Sequence, residues 1–310
     1  MARIPHFALA ACLALTACSP ACTPPDAKSP DAGASSRKVE PSGEDEGARP
    51  PVANAEMVTD AKGVDLSQIS ESERNTFFQI INTEPSACDK PHSLAVSLRD
   101  DSSCRDSLIV AQFVADRVAA GATPSSVKQE LQFVLDALQP KDIPIEGRPM
   151  YGSERAPVTL VVFADFECPH CAAEAPMLRK VVDQFRGRAK LVFKHFPISG
   201  HERAKPAAIA TEAAHEQGKF WEMAELVFQN QMRLSDEDLY RYAERAGLDM
   251  TKFKASYEAK KGLAAVEADR KHGEDIEIPG TPAVYVNGRQ YSDLLFGGSV
   301  TGWVDDALKR

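Results

Sequence analysis

Six consecutive apolar or β-branched residues, VTLVVF at 158–163, run into Ala164-Asp165-Phe166-Glu167 and then into Cys168-Pro169-His170-Cys171. A short continuous apolar run of this kind reads as a strand buried on both faces. Pro169 suits the first helical position, where its missing N–H would have had no partner. The first cysteine of the pair therefore stands where a strand ends and a helix begins. Unpaired N–H groups and the positive end of the helix dipole favour an anion there, so its thiol is expected to ionise easily. The dipole does not suffice alone. Bringing a thiol from about 8.5 to about 5 takes about 5 kcal/mol, and a helix terminus supplies about 0.3–2 kcal/mol. Hydrogen bonds to the sulfur and a nearby cation must add the rest, and His170 is the obvious contributor.

Around this motif the pattern is that of an α/β sheet with a helical cap. A helix is expected from Pro169 to about Phe185, and a second strand at 190–196 (KLVFKHF). Five amphipathic helices follow, over 204–217, 220–231, 236–246, 251–258 and 263–272. A hairpin comes next: 282–286 (PAVYV), the turn Asn287-Gly288, and 289–291. A last helix covers 300–308. Upstream, residues from about Leu66 to Leu138 read as helical. Ser70-Glu71-Ser72-Glu73 opens a helix carrying Phe77, Phe78, Ile80 and Ile81. Leu108 to Val118 continue at helical spacing to a stop at Gly121, and Thr123-Pro124 restarts a helix with Val127, Leu131, Val134, Leu135 and Leu138. Pro140 and Pro144 mark the join.

The first residues carry an address. Arg3 precedes a short apolar stretch at 7–17, which ends in Leu15-Thr16-Ala17-Cys18. This resembles the lipobox of bacterial lipoproteins and implies lipidation of Cys18; the similar Leu9-Ala10-Ala11-Cys12 leaves too short an apolar segment before it. An ordinary cleaved signal peptide is the other reading, and either route leads to a compartment where disulfides form. The Pro-, Ala-, Ser- and Gly-rich stretch that follows cannot bury enough surface to order itself. Its roughly 45 residues give a coil reach of about 35–40 Å and about 150 Å fully extended. The expected division is signal peptide 1–17, disordered linker 18–64, helical domain 65–140 and an α/β domain 145–310 that carries the Cys168–Cys171 pair.

The Cys-Pro-His-Cys motif resembles the active site of DsbA-type thiol–disulfide oxidoreductases of the thioredoxin superfamily. The likeness continues in Ala156-Pro157-Val158-Thr159, Ala164-Asp165-Phe166, Phe193-Lys194-His195-Phe196-Pro197, Gly218-Lys219-Phe220-Trp221 and Gly280-Thr281-Pro282-Ala283 ahead of Val286-Asn287-Gly288. It covers about Pro149 to Trp303, with the motifs in order. It implies catalysis by Cys168 and Cys171 with Pro169 and His170 between them, no bound cofactor, and no metal. It also implies that Pro282 is cis and lies against the redox pair, leaving Thr281 backbone groups to pair with an extended substrate segment. Cysteine-containing proteins would be the substrates, and a DsbB-like membrane quinone reductase the reoxidant. One departure stands out. Many relatives carry a buried acid six positions before the first cysteine, as a proton relay to the second, and this chain has Val162. Asp165 and Glu167 are nearby, at a strand end expected to be solvated.

Other readings of the cysteines are weaker. Zinc needs four ligands, usually with a second close pair, and Cys88 and Cys104 lie sixteen apart. In an oxidising compartment these two read as a structural disulfide across a helical hairpin, worth about 3 kcal/mol; a second redox relay is the sharper alternative. Cys22 is left over. The histidines at 195, 201, 215 and 272 read as packed or surface side chains, and Phe220 and Trp221 as helix packing at the rim of a peptide groove. Lys and Arg total 36 against 45 Asp and Glu, a net charge of −9, which excludes a nucleic-acid binder. No apolar run approaches the roughly 18–20 residues of a membrane helix. The chain therefore reads as a periplasm-facing envelope enzyme, lipid-anchored with the outer membrane favoured by Ser19, or else soluble in the periplasm. A reductase or isomerase using the same cysteines, and an anchored binding or assembly protein retaining the fold, are the competing functions.

Overall fold

The computed structural model describes residues 57–310. The expected signal segment 1–17, the expected lipidation site Cys18, Cys12, Cys22 and the expected linker up to residue 56 lie outside the described residues. The tether boundary at 64 needs correction, because Val58 and Ala61 are buried. Asn82 closes on Val58 with both amide atoms: Oδ1 accepts its N–H and Nδ2 donates to its carbonyl, each at 2.8 Å. A side-chain amide thus supplies the backbone partners that the short segment lacks.

Among the described residues four helices come first. α1 (Glu71–Thr83) starts in a capping box in which Ser70 and Glu73 satisfy each other's backbone N–H, and it buries Phe77, Ile80 and Ile81. α2 (Leu94–Asp100) is capped by Ser93. Its seven residues are too few for the sequence period to reveal. α3 (Asp106–Ala119) and α4 (Pro124–Leu138) follow, the latter capped by Thr123 with Pro at its first position. Cys88 and Cys104 are joined across α2, with Cα atoms 5.8 Å apart.

The sheet is built from β1 (Met150–Gly152), β2 (Val158–Ala164), then, after α5 (Pro169–Gln184), β3 (Ala189–His195). Helices α6 (Ala204–His215), α7 (Phe220–Phe228), α8 (Asp236–Arg245), α9 (Met250–Glu258) and α10 (Leu263–Asp275) form the insert. β4 (Ala283–Val286), β5 (Arg289–Gln290) and α11 (Val300–Lys309) complete the chain. The strand order is β1-β3-β2-β4-β5, with β2 and β3 parallel and the other pairs antiparallel. β1, which the sequence pattern did not announce, owes its strand state to the β3 edge it pairs with.

β2 is covered on both faces, as its unbroken apolar run requires. Leu160, Val162 and Ala164 join the large core that also holds α5 and the four N-terminal helices. Val161 and Phe163 join a smaller core with Val192, Ala283 and Tyr285 on the opposite face. One continuous core therefore runs from α1 to α11.

Two contacts tie the N-terminal helices to the hairpin. At the Asn287-Gly288 turn, Lys141 N–H donates to Gly288 O at 2.8 Å. Gly288 has φ +83°, and a Cβ there would meet Lys141 O at 2.5 Å, so only glycine fits. Next to it the Arg289 guanidinium, nearly buried, donates to Leu138 O (3.1 Å), Asp306 (3.2 Å) and Asp106 (2.7 Å). Arg310 shares both carboxylates. Removing one partner of a buried pair costs about 3–5 kcal/mol. Since Arg310 remains, Arg289→Ala is expected to lower unfolding free energy by about 3 kcal/mol, the lower end. Urea titration followed by circular dichroism measures it.

Candidate active site

β2 delivers the chain to Asp165, and the polypeptide turns into α5 within four residues. Cys168 is the N-cap residue of α5, and Pro169 and Cys171 lie in its first turn. Cys168 and Cys171 are both free thiols, 5% and 1% exposed. Pro169 and His170 between them are exposed. The Cys168 Sγ makes no capping bond to the helix; its thiol donates to Thr281 O at 3.3 Å. Thr281 precedes Pro282 through a cis peptide bond, and this loop leads directly into β4. The structure thus brings together Cys168, Pro169, His170, Cys171, Thr281 and Pro282, far apart in sequence.

The two sulfurs stand in different surroundings. Burial pushes the Cys171 thiol up to about 12; the Asp165 N–H, 3.5 Å from the sulfur, opposes this rise, and the neighbouring Cys168 adds to it. Val162, on the same face of β2, is 2% exposed and offers no proton acceptor.

Asp165 departs from the sequence reading. It is not solvated at the strand end but 1% exposed. Its Oδ1 accepts the Glu167 N–H at 2.6 Å, its Oδ2 accepts the Ile198 N–H at 2.8 Å, and His201 Nδ1 lies 3.0 Å from Oδ2. Backbone donors from two loops compensate the buried carboxylate, a partnership that no local pattern shows. Glu167 is equally committed, accepting the N–H groups of Arg203 (2.6 Å) and Ala204 (2.7 Å) at the start of α6. Gln231 also escaped the sequence reading. Its amide donates to Phe166 O (2.9 Å) and Cys168 O (2.8 Å), pinning the turn that presents Cys168.

Of the other histidines, His195 is fully buried, with Nε2 2.9 Å from Glu212. Burial opposes ionisation of Glu212, yet His195 and Arg148 hold its carboxyl below the usual carboxylate range. Trp221 donates to Met150 O at 2.9 Å. It lines a groove of about 320 Å³ between α5 and α7 with Ala172, Pro176, Arg179 and Phe228, while Phe220 packs in the core. Among the described residues no group of His, Cys, Asp and Glu is placed to hold a metal ion, and no helix is long and apolar enough to cross a membrane.

A dithiol at a helix start, directly against a cis-proline loop on a mixed five-stranded sheet, defines a thioredoxin fold equipped for thiol–disulfide exchange. The model of the family described as Thioredoxin matches residues 145–306, over half of the chain, and the chain belongs to that family. Its Cys-Pro-His-Cys and flanking motifs resemble those of DsbA-type members. Among curated proteins it is 35% identical over 180 residues to a Na(+)/H(+) antiporter NhaA 3 of Salinispora tropica, 56% of this chain and 27% of that protein. It is 40% identical over 140 residues to an antiporter NhaA 1 of Mycolicibacterium vanbaalenii, 44% of this chain and 23% of that protein. The chain spans about a quarter of the length of these relatives. Similar solved structures include oxidised BdbD from Bacillus subtilis, 25% identical over 56% of this chain and 97% of that one, TM-score 0.49. Another is a thioredoxin-like oxidoreductase from Silicibacter pomeroyi, 25% identical over 53% and 92%, TM-score 0.46.

The raised Cys171 thiol carries a pH signature. A group whose folded pKa exceeds its unfolded value stabilises the fold fully below the unfolded value and loses that contribution as pH rises through the folded one. For Cys171 the window runs from 9.0 to about 12. The reduced protein should lose more stability across that window than its Cys171→Ala variant does. Tyr285, also raised to about 12 by burial, contributes equally to both proteins. Melting temperature against pH for the pair checks it.

Proposed function

We propose that the pair donates disulfides to thiols of folding proteins in the cell envelope. The carrying observation is the inequality of the two sulfurs. Cys171 is sealed under the turn with its thiol pushed up to about 12, while Cys168 faces the Thr281 carbonyl at the loop edge. In the oxidised enzyme a substrate thiolate attacks Cys168 Sγ, the Cys168–Cys171 bond breaks, and Cys171 leaves with the electron pair and takes up a proton. Once protonated, Cys171 re-attacks slowly. Val162 supplies no acceptor that would deprotonate it. The mixed disulfide therefore lasts long enough for a second substrate thiolate to attack the substrate sulfur and expel Cys168. The substrate gains a disulfide and the enzyme gains two electrons.

Thr281 and Pro282 line the docking edge, where an extended substrate segment can pair with the Thr281 backbone. Pro169 starts the helix, and His170, exposed beside Cys168, can stabilise its departing thiolate. Electrons then pass to a DsbB-like membrane quinone reductase. The signal-like 1–17 segment with Cys18 supports export and lipid anchoring, with the outer membrane favoured over a soluble periplasmic form. Cys88–Cys104 covalently joins the segments on either side of α2.

Oxidative refolding of reduced ribonuclease should fall to background in Cys168→Ser. Cys171→Ser, with Cys168 first converted to its glutathione mixed disulfide, should instead accumulate the enzyme–substrate mixed disulfide on a non-reducing gel as the substrate thiolate displaces glutathione. Equilibration with glutathione fixes the direction of transfer. A potential near about −120 mV is expected, and one near about −270 mV would make the enzyme a reductase instead.

A further inference from the structure

Three serines are buried around the other cysteine pair. Ser86, Ser97 and Ser107 are 0%, 0% and 1% exposed, in a core built mainly from Ala, Leu, Val, Ile and Phe. Their hydroxyls form a chain that ends on sulfur. Ser86 Oγ donates to Ser97 Oγ at 3.2 Å, the Ser97 and Ser107 hydroxyls lie 2.7 Å apart, and Ser107 Oγ donates to Cys104 Sγ at 3.0 Å. Ser86 Oγ is itself 4.0 Å from the same sulfur and accepts the Cys88 N–H at 3.2 Å. A covalent staple requires none of this. Alanine would pack between the helices without a hydroxyl to desolvate. Donors fixed around one sulfur of a pair stabilise that sulfur most when it carries charge.

We propose that Cys88–Cys104 is a second exchangeable disulfide, with Cys88 the attacked sulfur and Cys104 the leaving thiolate. The co-reactant is an accessible thiolate. Cys88 is half-buried and followed by exposed Asp89, Lys90 and Pro91, whereas Cys104 is 5% exposed. Attack from solvent therefore falls on Cys88. The departing sulfur lies just before the fourteen-residue helix α3, whose N-terminal end favours an anion. The one carboxylate in that first turn, Asp106, is bound by Arg289 and Arg310. A cavity of about 400 Å³ lined by Ser97, Cys104, Arg105 and Ser107 leaves the freed sulfur room to withdraw.

The step balances. An incoming thiolate forms a bond to Cys88 Sγ, the Cys88–Cys104 bond breaks, and Cys104 keeps the electron pair under the Ser107 hydroxyl. A second thiolate attacks the incoming sulfur and releases Cys88. Two thiolates become one external disulfide, and the pair gains two electrons and takes up protons from solvent.

The test uses the full chain with Cys168→Ser and Cys171→Ser, so that it is independent of the activity proposed above. The probe is reduced glutathione in native buffer, with thiol alkylation and mass spectrometry as readout. The expected result is opening without denaturant, through a glutathione adduct on Cys88, slowed about tenfold by Ser107→Ala and restored by Ser107→Thr. A disulfide that opens only on unfolding in guanidinium overturns the proposal. So does an adduct mapped to Cys104, or a rate unaffected by Ser107→Ala. If Ser107→Ala fails to fold, the location of the adduct on the parent chain decides.

Discussion

The carboxylate of Asp165 is the constraint around which the site is organised. A charge this deeply buried is tolerable only with fixed donors, and it takes them from two separate places. Glu167 lies in the turn before α5, and Ile198 in the loop after β3. The same residue places its own N–H against Cys171. The exit of β2, the entrance to α5 and the loop that leads to α6 are thereby held in one arrangement. Glu167 and Gln231 extend it, one capping α6 and the other gripping the carbonyls of Phe166 and Cys168. The reactive turn is thus shaped by backbone hydrogen bonds to acidic and amide side chains, and those bonds leave the sulfurs to the chemistry.

Much of this was legible in the sequence because local signals and burial agree. The unbroken apolar run at 158–163, Pro169 at the helix start, the Ser70–Glu73 box, and Thr123-Pro124 before α4 each announce an element in which propensity and packing point the same way. The Cys168–Cys171 spacing and the Thr281-Pro282 pair named the residues that meet at the site. What stayed hidden depends on contacts distant in sequence. β1 is a strand because β3 offers it an edge. Asp165 looks like an exposed strand-end acid until the Ile198 loop folds over it. Val58 looks like part of a tether until Asn82 closes on it. Gln231 sits past the end of α7, and its sequence surroundings do not indicate that it reaches back to Cys168.

The end of β3 carries a second polar cluster that spans both faces of the sheet. Lys194 and Asp269 are 3.0 Å apart and almost wholly buried; Arg148 reaches Asp269 at 3.2 Å, and His195 meets Glu212. Asp269 also accepts the His195 N–H, and Lys194 donates to Pro144 O. These bonds join β3, α6, α10 and the 144–148 segment. Buried ion pairs of this kind contribute little net stability against an apolar replacement. Their geometry does restrict how the helical insert can seat on the sheet. A uniformly apolar interface would allow sliding, whereas matched charges permit one register. The loop between β3 and α6, which supplies the Ile198 donor, inherits that register from both of its ends.

The guanidinium of Arg289 has a practical bearing on how the molecule can be divided. The family likeness starts at residue 145, which makes the preceding helices look like a removable attachment. Yet Leu138 and Asp106 supply two of the three oxygens that this side chain binds. A fragment cut at the point of homology would keep the cysteines and the sheet but leave a cation half unmatched on a stripped apolar surface. The natural seam in the sequence is therefore not a mechanical one, and recombinant work is better served by keeping the helices with the sheet.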